Sequence, residues 1–202
     1  MKKYTPNQLI EFEKKIGDLF NNKKIRAPIH LYQGNEKQII KVFKNVKNED
    51  WIFCTWRSHY QCLLKGVPEK ELTKSIIKGN SIALCFPKYN IYSSAIVGGS
   101  IPMAVGVALS LKLKKKKSKV YCFIGDMGSE TGIAHECIKF SSNFKLPINF
   151  IIENNNLSVC SDTKKTWKFK KLTFEKSKNK LVKIYKYKSK YPHSGAGKRI
   201  QF

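Results

Sequence analysis

The sequence predicts an α/β fold, a mostly parallel sheet flanked by helices, and two observations carry that expectation. An apolar run at residues 120–124 is followed by a helical pattern and by a second apolar run at 148–152. Such a strand-helix-strand unit in about 30 residues joins two parallel strands by a right-handed crossover. The second observation is bulk. A chain of 202 residues, 42% hydrophobic and 12% aromatic, can bury one sizeable core and is too apolar to be disordered.

The elements follow in order. Thr5 and Gln8 form a T-x-x-Q capping box with Pro6 at the first helical position, and Leu9, Phe12, Ile16 and Leu19 then fall at helical spacing. A second helix starts near Gly34 and buries Ile39, Val42, Phe43 and Val46. The run 51–54 is short and apolar, a buried strand, and Pro68 opens a helix that stops at Gly79. Pro102 leads a small-residue helix to Leu113, ended by the lysine run Lys114-Lys115-Lys116-Lys117. After strand 120–124 and the turn Gly125-Asp126-Met127-Gly128, a helix places Ile133, Cys137, Phe140 and Phe144 along one stripe. Pro147 precedes strand 148–152, which runs into Glu153-Asn154-Asn155-Asn156. A lysine-rich stretch from 164 to 180 reads as a connection, and 181–187 as one further strand before a tail with Gly and Pro. Residues 1–165 are expected to form the main domain, with 166–202 as a lysine-rich connection and a short C-terminal segment packing on or beside it.

Charge excludes less than it suggests. Lys and Arg number 39 against 14 Asp and Glu, a net +25, which ordinarily points to nucleic acid or an anionic membrane. Only Arg26, Arg57 and Arg199 are arginines, however, and arginine supplies the planar fork that reads guanine and phosphate. The lysines are spread along the chain, so the charge reads as compositional bias on a solvated surface, with no nucleic-acid partner. Six cysteines, none in a C-x-x-C pair, suit reduced, mostly buried thiols in a cytoplasmic protein. No signal peptide is expected at the polar N-terminus. The uncharged stretch 89–111 contains a Gly-Gly-Ser-x-Pro break, so it reads as a loop entering a helix, not as a membrane span.

In a parallel α/β sheet, ligands settle outside the carboxyl ends of the strands. Asp126 and Asn155 lie at the carboxyl ends of two neighbouring strands and face one crevice. A carboxylate, an amide oxygen and a backbone carbonyl are hard oxygen ligands suited to Mg²⁺, and the helix after Gly128-Ser129 offers free N–H groups to phosphate. On spacing alone, an ordinary turn and an ordinary loop explain the same residues.

Gly125-Asp126, followed about 30 residues later by Asn154-Asn155, resembles the thiamine diphosphate motif. The flanking residues narrow the resemblance to α subunits of the E1 component of 2-oxo acid dehydrogenases. His30-Leu31-Tyr32-Gln33-Gly34-Asn35-Glu36 is similar to that family's H-L-Y-x-G-x-E segment. Trp56-Arg57-Ser58-His59, then Leu63-Leu64-Lys65-Gly66, resembles its Y-R-x-H-G…L-x-K-G segment, and Ile96-Val97-Gly98-Gly99-Ser100-Ile101-Pro102 its I-V-G-x-x-x-P loop. Glu136 and Leu146-Pro147 also fall in register.

The resemblance implies a thiamine diphosphate-binding fold and the following roles. Asp126, the Asn155 side chain and the Leu157 carbonyl would bind Mg²⁺. Gly125, with the N–H groups of Gly128 and Ser129, would face the diphosphate, with Arg57 on a phosphate and Trp56 where the family has Tyr. The Val97 carbonyl would touch the aminopyrimidine, and His30 and His59 would lie near the reacting centre as catalytic groups. A small 2-oxo acid would be decarboxylated, with a separate E1-β-like subunit completing an α₂β₂ assembly and a lipoyl acyltransferase as a further partner. On this resemblance the β-type domain is expected on the separate subunit and not within these 202 residues. Met127 departs from Gly-Asp-Gly and is expected to alter the turn. The family's histidine-bearing covering loop is expected to be reduced or absent, since Tyr185-Lys186-Tyr187 and His193-Ser194 echo its start at poor spacing. The alternatives are half of a thiamine diphosphate carboligase, synthase or split transketolase-like enzyme, or a degenerate scaffold subunit.

Overall fold

The computed structural model describes residues 3–198; Arg199 lies outside them. Helix α1 (Pro6–Asn21) begins at the expected capping box: Gln8 N donates to Thr5 Oγ1 at 3.3 Å, and Thr5 N donates to Gln8 Oε1 at 2.9 Å. It buries Leu9, Phe12, Ile16 and Phe20. Helix α2 (Glu36–Phe43) follows, with Ile39 and Phe43 buried and Val46 tucked in just beyond it. Strand β1 (Trp51–Cys54) runs into α3 (His59–Lys65), a helix the sequence reading did not assign. All seven of its residues are buried, so its sequence carries no polar face to mark a period. Helix α4 (Glu69–Ser75) stops in a distorted turn where Gly79 takes φ +93°.

Two short strands, β2 (Cys85–Phe86) and β3 (Ile91–Ser93), precede α5 (Ser100–Leu113), which starts two residues before the expected Pro102. Then come β4 (Val120–Gly125), the single turn α6 (Asp126–Ser129), α7 (Gly132–Asn143) and β5 (Ile148–Asn154). A tight hairpin, β6 (Leu157–Ser158) with β7 (Ser161–Asp162), leads to α8 (Thr163–Trp167) and finally to β8 (Val182–Lys186).

The six-stranded sheet has the order β2-β3-β1-β4-β5-β8, parallel except for β2. The central strands carry long apolar runs because helices cover both faces, as parallel sheets require. Tyr121, Phe123 and Ile151 point into one core with Leu9, Phe12 and Ile16 of α1. Their neighbours Cys122, Ile124 and Ile152 point into the other with Ala104, Ala108 and Cys137. The C-terminal stretch is a full member of this sheet: β8 lies parallel to β5, with Ile184 opposite Ile152.

Of the α7 stripe, Cys137 is buried while Ile133, Phe140 and Phe144 are exposed, and Ala134, Ile138 and Ser141 complete the buried face. Four of the six thiols, those of Cys54, Cys62, Cys122 and Cys137, are buried, as expected of mostly buried cysteines, and Cys85 and Cys160 are exposed. Among the described residues, no helix is long and apolar enough to cross a membrane.

Candidate functional site

Register builds the site. Gly125 of β4 stands beside Glu153 of β5, so Asp126 and Asn155 leave the sheet side by side at its carboxyl edge. β1 ends two residues short of β4, since Phe53 pairs with Cys122, and its continuation delivers Thr55, Trp56 and Arg57 to the same edge. A cleft opens among these ends, lined by Trp56, Arg57, Val97, Gly125, Asp126, Gly128, Asn155 and Leu157. Of the eleven residues proposed from sequence, those eight share one surface. Thr55, Gly98, Ile124, Met127, Glu153, Val159, Tyr187 and His193 complete the lining.

Asp126 is 2% exposed, and its Oδ2 is buried with no hydrogen-bond partner among the described residues. Burial raises its carboxyl above the usual range, while bonds from the Thr163 hydroxyl and from main-chain groups of Met127 and Asn156 pull it back. A buried carboxylate oxygen without a partner is costly unless a cation or a donor meets it. Asn155 Oδ1 accepts from Leu157 N at 3.1 Å and keeps a second lone pair. The donor set therefore fits Mg²⁺, which takes one or two protein oxygens and fills its octahedron with water and phosphate. Among the described residues, no group of three or more His, Cys, Asp or Glu side chains is poised for a metal.

The turn after β4 tolerates Met127. Residue 127 lies in α6 and is absent from the positions with positive φ, so a side chain there strains nothing and lines the cleft instead. Ser129 is fully buried behind the turn, its Oγ donating to the Asp126 carbonyl at 2.7 Å.

Arg57 reaches the cleft but is partly engaged. Its Nε donates to Leu31 O at 3.1 Å and its Nη2 to His193 O at 3.2 Å, leaving the remaining donors of the fork. Trp56 Nε1 is buried without a partner among the described residues. His30 is not itself in the lining; it meets His193 across 3.3 Å between Nε2 atoms, with Trp56 5.8 Å away ring to ring. Burial, with Arg57 and His193 adding to it, drives the His30 imidazole down to about 3. Burial and Arg57 lower His193 as well, so both rings are neutral near pH 7.

His59 is placed elsewhere. It is fully buried beneath the site, with Nδ1 2.9 Å from Glu13 Oε2 and Nε2 2.9 Å from Ser81 Oγ. Glu13 Oε1 also accepts from Tyr32 N at 2.9 Å. This network ties α1, α3 and the H-L-Y segment together, and both His59 nitrogens are occupied by it.

Glu153 went unassigned at the sequence level although it precedes the Asn pair. It is 5% exposed and accepts from the Tyr32 hydroxyl at 2.7 Å, from Asn35 Nδ2 at 3.4 Å and from the Tyr185 hydroxyl. Burial raises it to about 7 against the pull of those donors and of Arg57. Of the segment in which the covering loop is expected to be reduced or absent, Tyr187 and His193 enter the cleft lining. Tyr187 N donates to Asn154 O, Lys190 N to Gln33 O and Gly195 N to Ile29 O. Gly34, at φ +107°, makes room for this segment: a Cβ there would meet Lys188 O at 2.2 Å.

Fold and site together define a class: a parallel α/β protein whose ligand cleft lies at the carboxyl ends of its strands, with a cation-ready acid and amide on its floor. The model of the family described as "Dehydrogenase E1 component" matches residues 4–177, and the chain belongs to that family. It is 31% identical over 155 residues to the α subunit of an acetoin:2,6-dichlorophenolindophenol oxidoreductase of Bacillus subtilis, covering 71% of this chain and 46% of that one. To the pyruvate dehydrogenase E1 component α subunit of Porphyra purpurea it is 27% identical, covering 73% and 48%. To the same subunit of Rickettsia prowazekii it is 30% identical, covering 75% and 49%. The chain thus spans about half the length of the curated relatives it matches.

Proposed function

We propose that this chain is the α-type subunit of a thiamine diphosphate- and Mg²⁺-dependent enzyme that decarboxylates a small 2-oxo acid, working with a separate β-type subunit. The observation that carries the reading is the unpartnered, buried Asp126 Oδ2 beside Asn155 at the carboxyl edge of the sheet. Family membership supports the same assignment, as do the relatives named as oxidoreductase and dehydrogenase α subunits. When bound, thiamine diphosphate supplies a nucleophilic carbon and an electron sink for loss of carbon dioxide.

The chain's own residues bind and orient. Asp126, Asn155 Oδ1 and the Leu157 carbonyl would hold the cation, and the Gly128 N–H would face the diphosphate, while Ser129, expected there as well, supports the turn from behind. The free donors of Arg57 add a charge-assisted contact to a phosphate oxygen, and Trp56 Nε1 is available for another. Val97 offers its carbonyl to the pyrimidine end. Tyr187 and His193 exclude water at the mouth, while neutral His30 steadies His193 through the 3.3 Å contact. His59 holds the fold beneath these groups. The β-type partner, an α₂β₂ assembly, a lipoyl acyltransferase acceptor and a cytoplasmic setting belong to the same proposal.

Native mass spectrometry of the chain taken from its own cells tests the reading. A complex with a second subunit, carrying the masses of thiamine diphosphate and Mg²⁺, is the expected result, and Asp126→Ala or Asn155→Ala should remove both masses while the partner stays. Cofactor retained by both variants would overturn the site assignment; a bare monomer would favour a scaffold subunit.

A further inference from the structure

The sheet has two edges, and they are unlike. At one end stands β2, only two residues long and antiparallel, which is how proteins commonly blunt an edge. At the other stands β8, five residues long and paired on one side only, with β5. Phe150 N donates to Leu181 O, and Tyr187 N donates to Asn154 O. In a parallel ladder the N–H and C=O of one residue point to the same side. Residues 181, 183, 185 and 187 therefore face β5, and Val182, Ile184 and Lys186 turn their main chain outward. Val182 N is bonded to Asn179 O, and Lys186 O accepts from Gln38 Nε2 at 3.3 Å. The Val182 carbonyl, both main-chain groups of Ile184 and the Lys186 N–H have no partner among the described residues.

We propose that this edge takes up an extended, acidic segment of a partner polypeptide as a seventh strand. Strand addition of this kind draws affinity from main-chain bonds and specificity from alternate side chains. Beside the outward edge lies a groove in which Phe174, Val182 and Ile184 form an apolar strip, with Lys171, Lys176 and Lys186 along its rim. Glu175 of this chain already sits there, its carboxylate 2.5 Å from Lys186 Nζ, so the groove accepts a carboxylate and holds it. Alternate side chains of an added strand share a face, so its apolar residues would meet the strip beside Val182 and Ile184, and its acidic residues would lie on the opposite face beside Lys183. A second copy of the chain is a poor occupant, because antiparallel β8-to-β8 pairing about Ile184 would set Lys180 opposite Lys188 at both ends of the ladder. Polyanions without a peptide backbone would satisfy the lysines and leave the four main-chain groups unpaired.

The test uses the full chain and a fluorescein-labelled ten-residue peptide alternating Glu and Val, with a twin N-methylated at alternate residues so that charge is kept and pairing lost. Fluorescence anisotropy should show saturable binding of the first peptide and binding at least roughly tenfold weaker for the twin, the loss of two or more hydrogen bonds. Ile184→Pro should weaken the first peptide to the same degree, and it should fold, because the Ile184 N–H makes no bond in the sheet. Should that variant unfold, the twin peptide alone decides. Equal binding of both peptides would reduce the surface to charge attraction and overturn the proposal. So would no binding at all, which would make the lysines guards of a closed edge. Reversible dimerisation by sedimentation, abolished by Ile184→Pro, would give the edge to a second copy and overturn it as well.

Discussion

Glu13 offers a sharp test of what stands beneath the cleft. It lies on α1, is 0% exposed, and accepts from Tyr32 N at 2.9 Å while pairing with His59 Nδ1 at 2.9 Å. Glu13→Ala leaves a buried N–H and a buried imidazole facing a void. Each orphaned polar group costs about 1–3 kcal/mol, and breaking a buried pair by removing one partner costs about 3–5 kcal/mol in all. For a chain of 202 residues, each kcal/mol moves Tm by about 2–4 °C, so a fall of roughly 6–20 °C is expected. Glu13→Gln keeps the shape but turns an amide donor toward one of the two donors, and should cost about 1–3 kcal/mol. Far-UV circular dichroism melts and urea titrations of the three proteins give both numbers. An Ala variant melting within about 2 °C of the parent would refute the reasoning: the Glu13–His59–Ser81 network would then not hold the fold, and His59 would be open again to a catalytic role.

The remaining predictions concern single groups. His30 is depressed to about 3 from 6.5, so its neutral form contributes stability that is fully present above pH 6.5 and is lost as pH falls toward 3. His30→Phe should therefore flatten the acid limb of stability against pH, read by urea midpoints between pH 3 and 7; an unchanged limb would place the titration elsewhere. Lys65 Nζ, in a residue 4% exposed, donates to Lys47 O and Asn48 O at 2.8 Å each, so Lys65→Met should cost about 2–3 kcal/mol by urea titration. Met127→Gly should destabilise by about 0.5–1 kcal/mol, since position 127 is helical and has no positive φ for glycine to relieve; a stabilised variant would mean the turn is strained.

Much of the frame was legible along the chain because it rests on local rules. The capping box at Thr5 and Gln8, the proline at Pro6 and the apolar spacing of α1 act within one or two turns, and the structure places them as read. The same holds for β1, β4 and β5, whose apolar runs are long enough to require helices on both faces. Asp126 and Asn155 could be brought together from sequence because a parallel crossover puts both strand ends on one edge.

Other features were settled only by which surfaces meet. Helix α3 is buried on every side, so nothing in its residues marks a period. The stripe Ile133, Phe140 and Phe144 has helical spacing, but spacing cannot say which face meets the sheet, and α7 turns that stripe outward. His59 stands in a motif beside Arg57; one helical position carries it away from the cleft and between Glu13 and Ser81, from two distant elements. Glu153, Tyr187 and His193 join the site only because β8 pairs with β5 and the following segment folds back across Gly34. The chain by itself determined the elements and the edge on which a ligand would sit, because capping, period and crossover handedness are short-range or chiral rules. Tertiary packing decided which histidine faces the cleft, what else lines it and which edge of the sheet remains open, because those depend on contacts between residues more than a hundred positions apart, such as His30 with His193.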